Sequence, residues 1–406
     1  MSALLCGIPQ FLARRKSKAQ ENTAYLEGVP VQNEKKTVVS AKVDPFDSAS
    51  SSASTIAIPP TTAVKPAEKA PETKSQRALT VCSKGKYALV DDFPAPELQH
   101  EQEVVIRNYA VGLNPIDWKS VDYNFCLPAF PWVTGREMAG VVERVGSEVK
   151  GCKVGDRVWT STYYRDARAG CFQELVTVPA HTVSHIPSNI TFEEAACLGV
   201  AALTAGMTLW KWLDVPLPSA PAVTSEEYLL VWGGSAVTGQ FAIQMAKLGG
   251  LNVIAVCSER TKSMTEELGA KVVTRDGKSN EEIIEELRSI AGENITRVID
   301  LVGNSTAVAA LKTVSKTKPV HFAPLAMMKD QVVEGHITVH TVEMKRFVLD
   351  EESDKWSQEL NALIESGKLR LPKIEVMNGG LEAVEAGLER IKKGDMGGVK
   401  VVVSLA

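Results

Sequence analysis

An α/β fold is predicted, in which a doubly wound parallel sheet is inserted into a smaller, mostly β domain. Three observations predict it. From Gln76 the chain runs as short apolar stretches divided by turn residues, and after Ser225 strands and helices alternate. The last apolar stretch, Lys400–Ser404, closes the chain as a strand most easily paired back into the first domain.

The elements follow in order. Residues 1–75 differ from the rest: 48–55 is almost all serine and alanine, 59–71 is rich in proline, and aromatic residues are nearly absent. Such a segment cannot bury enough surface to offset its ordering entropy and is expected to be disordered. Arg14, Arg15, Lys16 and Lys18, with no acid before Glu21, fit a mitochondrial presequence. Pro9 interrupts the helix such a signal needs, and a solvated basic tail accounts for the same residues. Strands are expected at 77–82, 87–91, 103–111, 139–145 and 156–160, punctuated by Gly146 and Gly155, and 192–209 begins helical. Further strands are expected at 228–232, 252–257, 271–274, 297–302 and 318–323, alternating with helices at 239–248, 262–268, 280–291 and 305–314. Helices at 355–366 and 381–392 precede the final strand. The borders that result are 1–75 for the extension, 76–205 for the first domain, 206–345 for the insertion and 346–406 for the return.

Bulk properties narrow the function. The 406 residues have room for two domains and a tail, and a net charge of −4 with 44% apolar residues is ordinary for a soluble enzyme. There is no basic excess to suggest nucleic acid and no run of 18 apolar residues to suggest a membrane span. Cys6, Cys82, Cys126, Cys152, Cys171, Cys197 and Cys257 form no C-x-x-C pair. An odd, scattered set implies reduced thiols, hence the cytoplasm.

The most informative stretch runs from Tyr228 to Arg260. An apolar strand feeds Gly233-Gly-Ser-Ala-Val-Thr-Gly239, and a helix begins at once. Such a turn offers free backbone N–H groups and the positive end of a helix dipole to a phosphate. Gly234, Ser235, Ala236, Val237 and Thr238 are therefore expected to bind a dinucleotide, with Ala236 standing where the middle glycine of the fingerprint would be. A plain βαβ crossover without ligand would read similarly. After the second strand come Ser258, Glu259, Arg260, Thr261 and Lys262. The hydroxyl and two cations suit the 2′-phosphate of NADPH, whereas Glu259 argues for NADH unless it points to solvent.

From about residue 76 onward the chain resembles the medium-chain dehydrogenase/reductase superfamily. The resemblance rests on Asn114-Pro-Ile-Asp-Trp-Lys119, Gly135-Arg-Glu-Met-Ala-Gly140, Val154-Gly-Asp-Arg-Val158, Leu203-Thr-Ala-Gly206 and Gly394-Asp-Met-Gly-Gly-Val-Lys400 in that order. It implies a GroES-like catalytic domain with an inserted Rossmann domain. The zinc-dependent branch holds its metal through cysteine and histidine, and the matching positions here are Asn114 and Arg136. Glu137 remains but cannot hold a metal alone, and the structural zinc loop is missing, so no metal is expected. His181, His185, His336 and His340 read as surface or packed residues. The chain is therefore similar to the zinc-free quinone oxidoreductase and enoyl reductase branch, and above all to fungal trans-acting enoyl reductases that partner polyketide synthases. By that resemblance Ile116, Asp117, Trp118 and Lys119 lie beside the nicotinamide, and Thr204, Pro324, Leu325, Gly397 and Gly398 also line the cofactor. A tyrosine that often stacks near the adenine in this group is Asp276 here.

The chemistry implied is hydride delivery from NADPH to a conjugated acceptor, an enoyl or enone carbonyl or a quinone, free or carrier-bound and apolar. Asn114, Lys119 and Tyr123 are the candidate catalytic residues; Lys119, Tyr123 and water are all available as proton donor. A serine hydrolase would need G-x-S-x-G, and Val237 stands where the last glycine belongs. The remaining alternative is a catalytically silent nucleotide-binding protein of the same fold. A monomer and a homodimer are both compatible with the sequence.

Overall fold

Short alternating stretches between turns build the first lobe of this computed structural model, which describes residues 75–405 apart from 222, 223, 330 and 395. The expected disorder and presequence therefore lie outside the described residues, save for Ser75. β1 (Ser75–Ser83) and β2 (Lys86–Pro94) form an antiparallel hairpin, and the two-residue β4 (Trp132–Val133) pairs with the free edge of β1. A second sheet contains β3 (Glu103–Gly112), β5 (Glu137–Val145), β6 (Arg157–Ser161), β7 (Leu175–Pro179) and β8 (Val183–His185). Two C-terminal strands complete it, β15 (Ile374–Met377) and β16 (Lys400–Ser404), in the order β15-β16-β3-β5-β6-β8 with β7 also on β3. The register Val402↔Gly112 and Ser404↔Ala110 places β16 antiparallel to β3. The chain end thus returns to the first lobe, as expected.

Near-continuous apolar runs make the second lobe, because a parallel sheet covered on both faces has no wet side. β9 (Tyr228–Trp232), β10 (Asn252–Cys257), β11 (Lys271–Thr274), β12 (Ile295–Asp300), β13 (Val320–Pro324) and β14 (Ile337–Val339) pair in the parallel order β11-β10-β9-β12-β13-β14.

The helices in chain order are α1 (Pro115–Tyr123), α2 (Phe192–Trp212), α3 (Val237–Leu248), α4 (Lys262–Glu267), α5 (Asn280–Ala291), α6 (Asn304–Leu311), α7 (Arg346–Leu349), α8 (Asp354–Glu365) and α9 (Glu382–Lys392). α2 is long and apolar enough to cross a membrane, yet most of it is buried inside the protein. It joins the lobes: one cluster of buried residues contains Ala110, Ala139 and Trp159 of the first sheet, Ala202 and Leu209 of α2, and Val231 and Phe241 of the second lobe.

α1 is the main element that periodicity does not announce. Its signal is chemical: Asn114 is the N-cap, Pro115 occupies the first turn, and the Asp117 carboxylate accepts the Asn114 amide at 2.9 Å. β15 is short and half-exposed at a sheet edge, so its four residues carry little pattern.

Candidate functional site

The turn after β9 lies at the centre of the parallel sheet, between the ends of β10 and β12, where the order of strands reverses. Crevices open at such points in doubly wound sheets. Ala236 caps α3 with extended geometry and no side-chain hydrogen bond, so no side chain competes for the first-turn amides. Two glycines make the crevice tight. A Cβ on Gly239 would lie 2.7 Å from the Gly233 carbonyl oxygen, and one on Gly398 would lie 3.0 Å from the Ser235 carbonyl oxygen. Gln240 ties these pieces together, donating from Nε2 to Ser235 O at 3.0 Å and to Gly398 O at 2.7 Å. The Arg260 guanidinium rests over Gly397, 3.4 Å from where a Cβ would be. The C-terminal glycine pair, the glycine turn and the tip of β10 therefore meet, although about 160 residues of chain separate them.

At the tip of β10, Ser258 Oγ and Thr261 Oγ1 are 3.0 Å apart in a single 3-10 turn. Glu259 is exposed, and its amide donates to the Asp276 carboxylate at 2.5 Å. Lys262 is half-buried and has no ion-pair partner among the described residues. Pro324 ends β13 and Leu325 follows it, its amide donating to Asp300 O at 2.9 Å, and Thr204 lies half-buried on α2. Asp300 itself is buried, accepts the Val302 and Gly303 amides, and leaves Oδ2 without a partner. Burial raises its carboxyl above the usual range.

α1 carries the other half of the site. Its foot is a buried charge network. Asn114 donates from Nδ2 to Glu137 Oε1 at 2.7 Å and accepts from Lys400 Nζ at 2.8 Å, while Lys400 also bonds Glu137. The second oxygen of Glu137 takes the Val200 amide at 2.6 Å. Asp117, at 0% exposure, faces Arg136, whose Nε is 3.7 Å from Oδ1. Burial pushes the Asp117 carboxyl up to about 6 against the opposing pull of Arg136. Arg136 also donates to Ser120 Oγ at 2.9 Å and lies over the Tyr164 ring.

The expected site residues of this segment divide by burial. Asn114 and Asp117 are buried fastenings, whereas Ile116, Trp118, Lys119 and Tyr123 are half-buried. Lys119 sits 5.7 Å above the Trp118 ring with no carboxylate partner among the described residues, and burial lowers its pKa. Tyr123 packs at a tilt against the same indole, at 6.1 Å between centroids. Sequence reasoning missed Lys400, 263 residues from Glu137 along the chain. It also missed Gly112, where a Cβ would come within 2.5 Å of Glu137 Oε1.

The histidines do not gather. His181 bonds Val348 O, His185 pairs with Asp156, His336 bonds Ser315 O, and His340 bonds His321. Among the described residues no three His, Cys, Asp or Glu side chains stand together as a metal set.

Comparison with known proteins agrees with this geometry. Residues 100–188 match the alcohol dehydrogenase GroES-like domain, and 237–366 match the zinc-binding dehydrogenase family. A trans-enoyl reductase of Alternaria alternata is 31% identical over 354 residues, covering 82% of this chain and 99% of the relative. The chain belongs to the medium-chain dehydrogenase/reductase superfamily, in its quinone and enoyl reductase branch. The fold matches the Escherichia coli quinone oxidoreductase solved with NADPH, at 21% identity and a TM-score of 0.65 over 81% of this chain and 99% of that one. It also matches the CurK enoyl reductase, at 21% identity and a TM-score of 0.67 over 82% and 99%.

Proposed function

We propose that this member of the branch is a zinc-independent oxidoreductase that uses NADPH to reduce a conjugated acceptor, and that it acts in trans as an enoyl reductase beside a polyketide synthase. The buried cluster at the foot of α1 supports this most. Where the zinc branch has cysteine and histidine, this chain has Asn114 and Arg136, and the carboxylate that remains is spent on Lys400. An ammonium and a guanidinium in that pocket are poor company for a divalent cation. The acceptor must then bring its own activation, as an enoyl, enone or quinone does.

The crevice fits a dinucleotide. The uncapped first turn of α3, with Gly234, Ser235, Ala236, Val237 and Thr238, would hold the pyrophosphate. Ser258, Arg260, Thr261 and Lys262 would hold the 2′-phosphate, with Glu259 turned to solvent. Ile116, Trp118, Lys119, Thr204, Pro324, Leu325, Gly397 and Gly398 would line the rest. NADPH bound there supplies a hydride for the β-carbon of the acceptor. Asn114 and Asp117 position α1, and α1 presents Lys119. We assign the proton for the α-carbon to Lys119, because a half-buried ammonium with no carboxylate partner gives up its proton more readily. The fungal relative, a trans-enoyl reductase, favours an enoyl chain among these acceptors. Six described cysteines are free thiols, which suits the cytoplasm.

Purified protein assayed for NADPH oxidation with conjugated aldehydes, quinones and carrier-bound enoyl chains tests the reading. Turnover without metal is expected, and Lys119→Met should remove most of it while NADPH still binds. Tightly held zinc whose chelation abolishes activity, or NADPH binding with no turnover of any acceptor, would overturn it.

A further inference from the structure

The two cations in the buried cluster are satisfied unequally. Lys400 bonds two side-chain oxygens and is 3% exposed. Arg136 is almost as enclosed, with 12% of its side chain exposed, but only Nη2 has a hydrogen bond, to Ser120 Oγ. Its Nε is buried without an acceptor, and Asp117 Oδ1, its ion-pair partner at 3.7 Å, is beyond hydrogen-bond range and accepts no hydrogen bond. A guanidinium has five N–H donors, and one is used here, leaving four without a protein acceptor among the described residues. Leaving donors to a charged group unmet in an enclosed place is costly, so an incoming oxygen is the natural complement.

The location says which oxygen. Ser120 follows Lys119 on α1, and the ring beneath the guanidinium belongs to Tyr164, in the loop that follows β6. Arg136 therefore lies between the helix that presents Lys119 and the aromatic loop that carries Tyr163 and Tyr164. Tyr164 at 5.4 Å and Ser120 hold its plane, which makes it a preorganised donor.

We propose that Arg136 binds the carbonyl oxygen of the acceptor and stabilises the charge that grows on it; this rests on the function proposed above. When a hydride adds at the β-carbon, the C=C pair shifts to join the α-carbon to the carbonyl carbon, and the C=O pair moves onto oxygen. The resulting enolate oxygen is the partner for the unmet N–H groups until a proton reaches the α-carbon. The acceptor gains two electrons, and NADPH is oxidised to NADP+. Arg136 thus takes the electrostatic part that a metal plays in the zinc branch.

Cinnamaldehyde as acceptor and hydrocinnamate as an unreactive oxyanion test the idea. Arg136→Met should lower kcat/KM for cinnamaldehyde on the order of 100-fold, the usual loss for one oxyanion donor. Calorimetric affinity for hydrocinnamate in the presence of NADP+ should weaken at least about tenfold, as expected for a lost charge-assisted bond, while NADPH affinity holds. Arg136→Lys should recover part of both. Hydrocinnamate should also slow phenylglyoxal labelling of Arg136 in the wild-type protein, read by peptide mass, a result independent of whether variants fold. Hydrocinnamate affinity unchanged in Arg136→Met, or labelling unaffected by hydrocinnamate, would overturn the proposal. Failure of the wild type to reduce any conjugated acceptor would instead strike the proposed function, with the hydrocinnamate measurements still deciding what Arg136 binds.

Discussion

At the turn between β9 and α3 the chain shapes its crevice with backbone, whereas at the foot of α1 it packs two carboxylates against two cations. The first region owes its form to glycines that let main chain approach main chain, with contacts such as the 2.7 Å a Gly239 Cβ would make. The second owes it to charges that had to leave water, each acceptable only because another is opposite. The first therefore tolerates a changed charge and not an added methyl. The second should behave the other way round.

The sharpest way to break this comparison is Lys400→Met. It leaves Glu137, at 0% exposure, without its ammonium, and breaking such a pair costs about 3–5 kcal/mol. Urea unfolding should show that loss, and adding Glu137→Gln should restore part of it. A loss under about 1 kcal/mol would mean that the Val200 amide and Asn114 already balance the carboxylate.

Asp117→Asn probes the same region through pH. The folded carboxyl sits at about 6 against 3.8 for a free aspartate, so the native state holds the proton more tightly between those values. The unfolded chain binds fewer protons there, and stability from this residue falls as pH rises through the window. The shift corresponds to roughly 3 kcal/mol at most. Asparagine should flatten the slope of unfolding free energy over that window, and an unchanged slope would show that Asp117 stays ionised.

At the phosphate end, replacing Arg260 and Lys262 together with alanine should weaken NADPH about 10- to 100-fold relative to NADH, from a loss of about 1.5–3 kcal/mol. Fluorescence titration with both nucleotides reads it. Equal losses would make the two cations surface decoration. The smallest change is Gly239→Ala, one methyl against the Gly233 and Gly234 carbonyl oxygens at 2.7 and 2.8 Å. Overpacking of that kind costs about 1–3 kcal/mol and should appear in both stability and nucleotide affinity. Gly335→Ala, with nothing within 4 Å of its Cβ, is the control and should stay within about 0.5 kcal/mol.

The same contrast separates what was legible. The βαβ unit around Gly233–Gly239 could be read because turn chemistry, helix onset and strand burial are local and all point the same way. The tip of β10 was legible for its hydroxyls and cations, while the orientation of Glu259 was not, since exposure is a property of the folded surface. α1 was read as a cofactor segment and not as a helix, because its nine residues have buried members at Asp117, Ser120 and Val121 and no apolar stripe.

By itself the sequence determined the order of elements, the two-lobed α/β architecture and the glycine turn. Those are statements about residues near one another in the chain, where spacing and side-chain type suffice. Only the tertiary structure decided that Lys400 comes back to neutralise Glu137, that Asp117 is sealed from solvent, and that Arg136 is left with donors to spare. Strand pairing of β16 with β3 and β15 does this, bringing the chain's last strand against Asn114 and Glu137. Whether a charge is paired depends on distance and burial in three dimensions, and no local pattern encodes either.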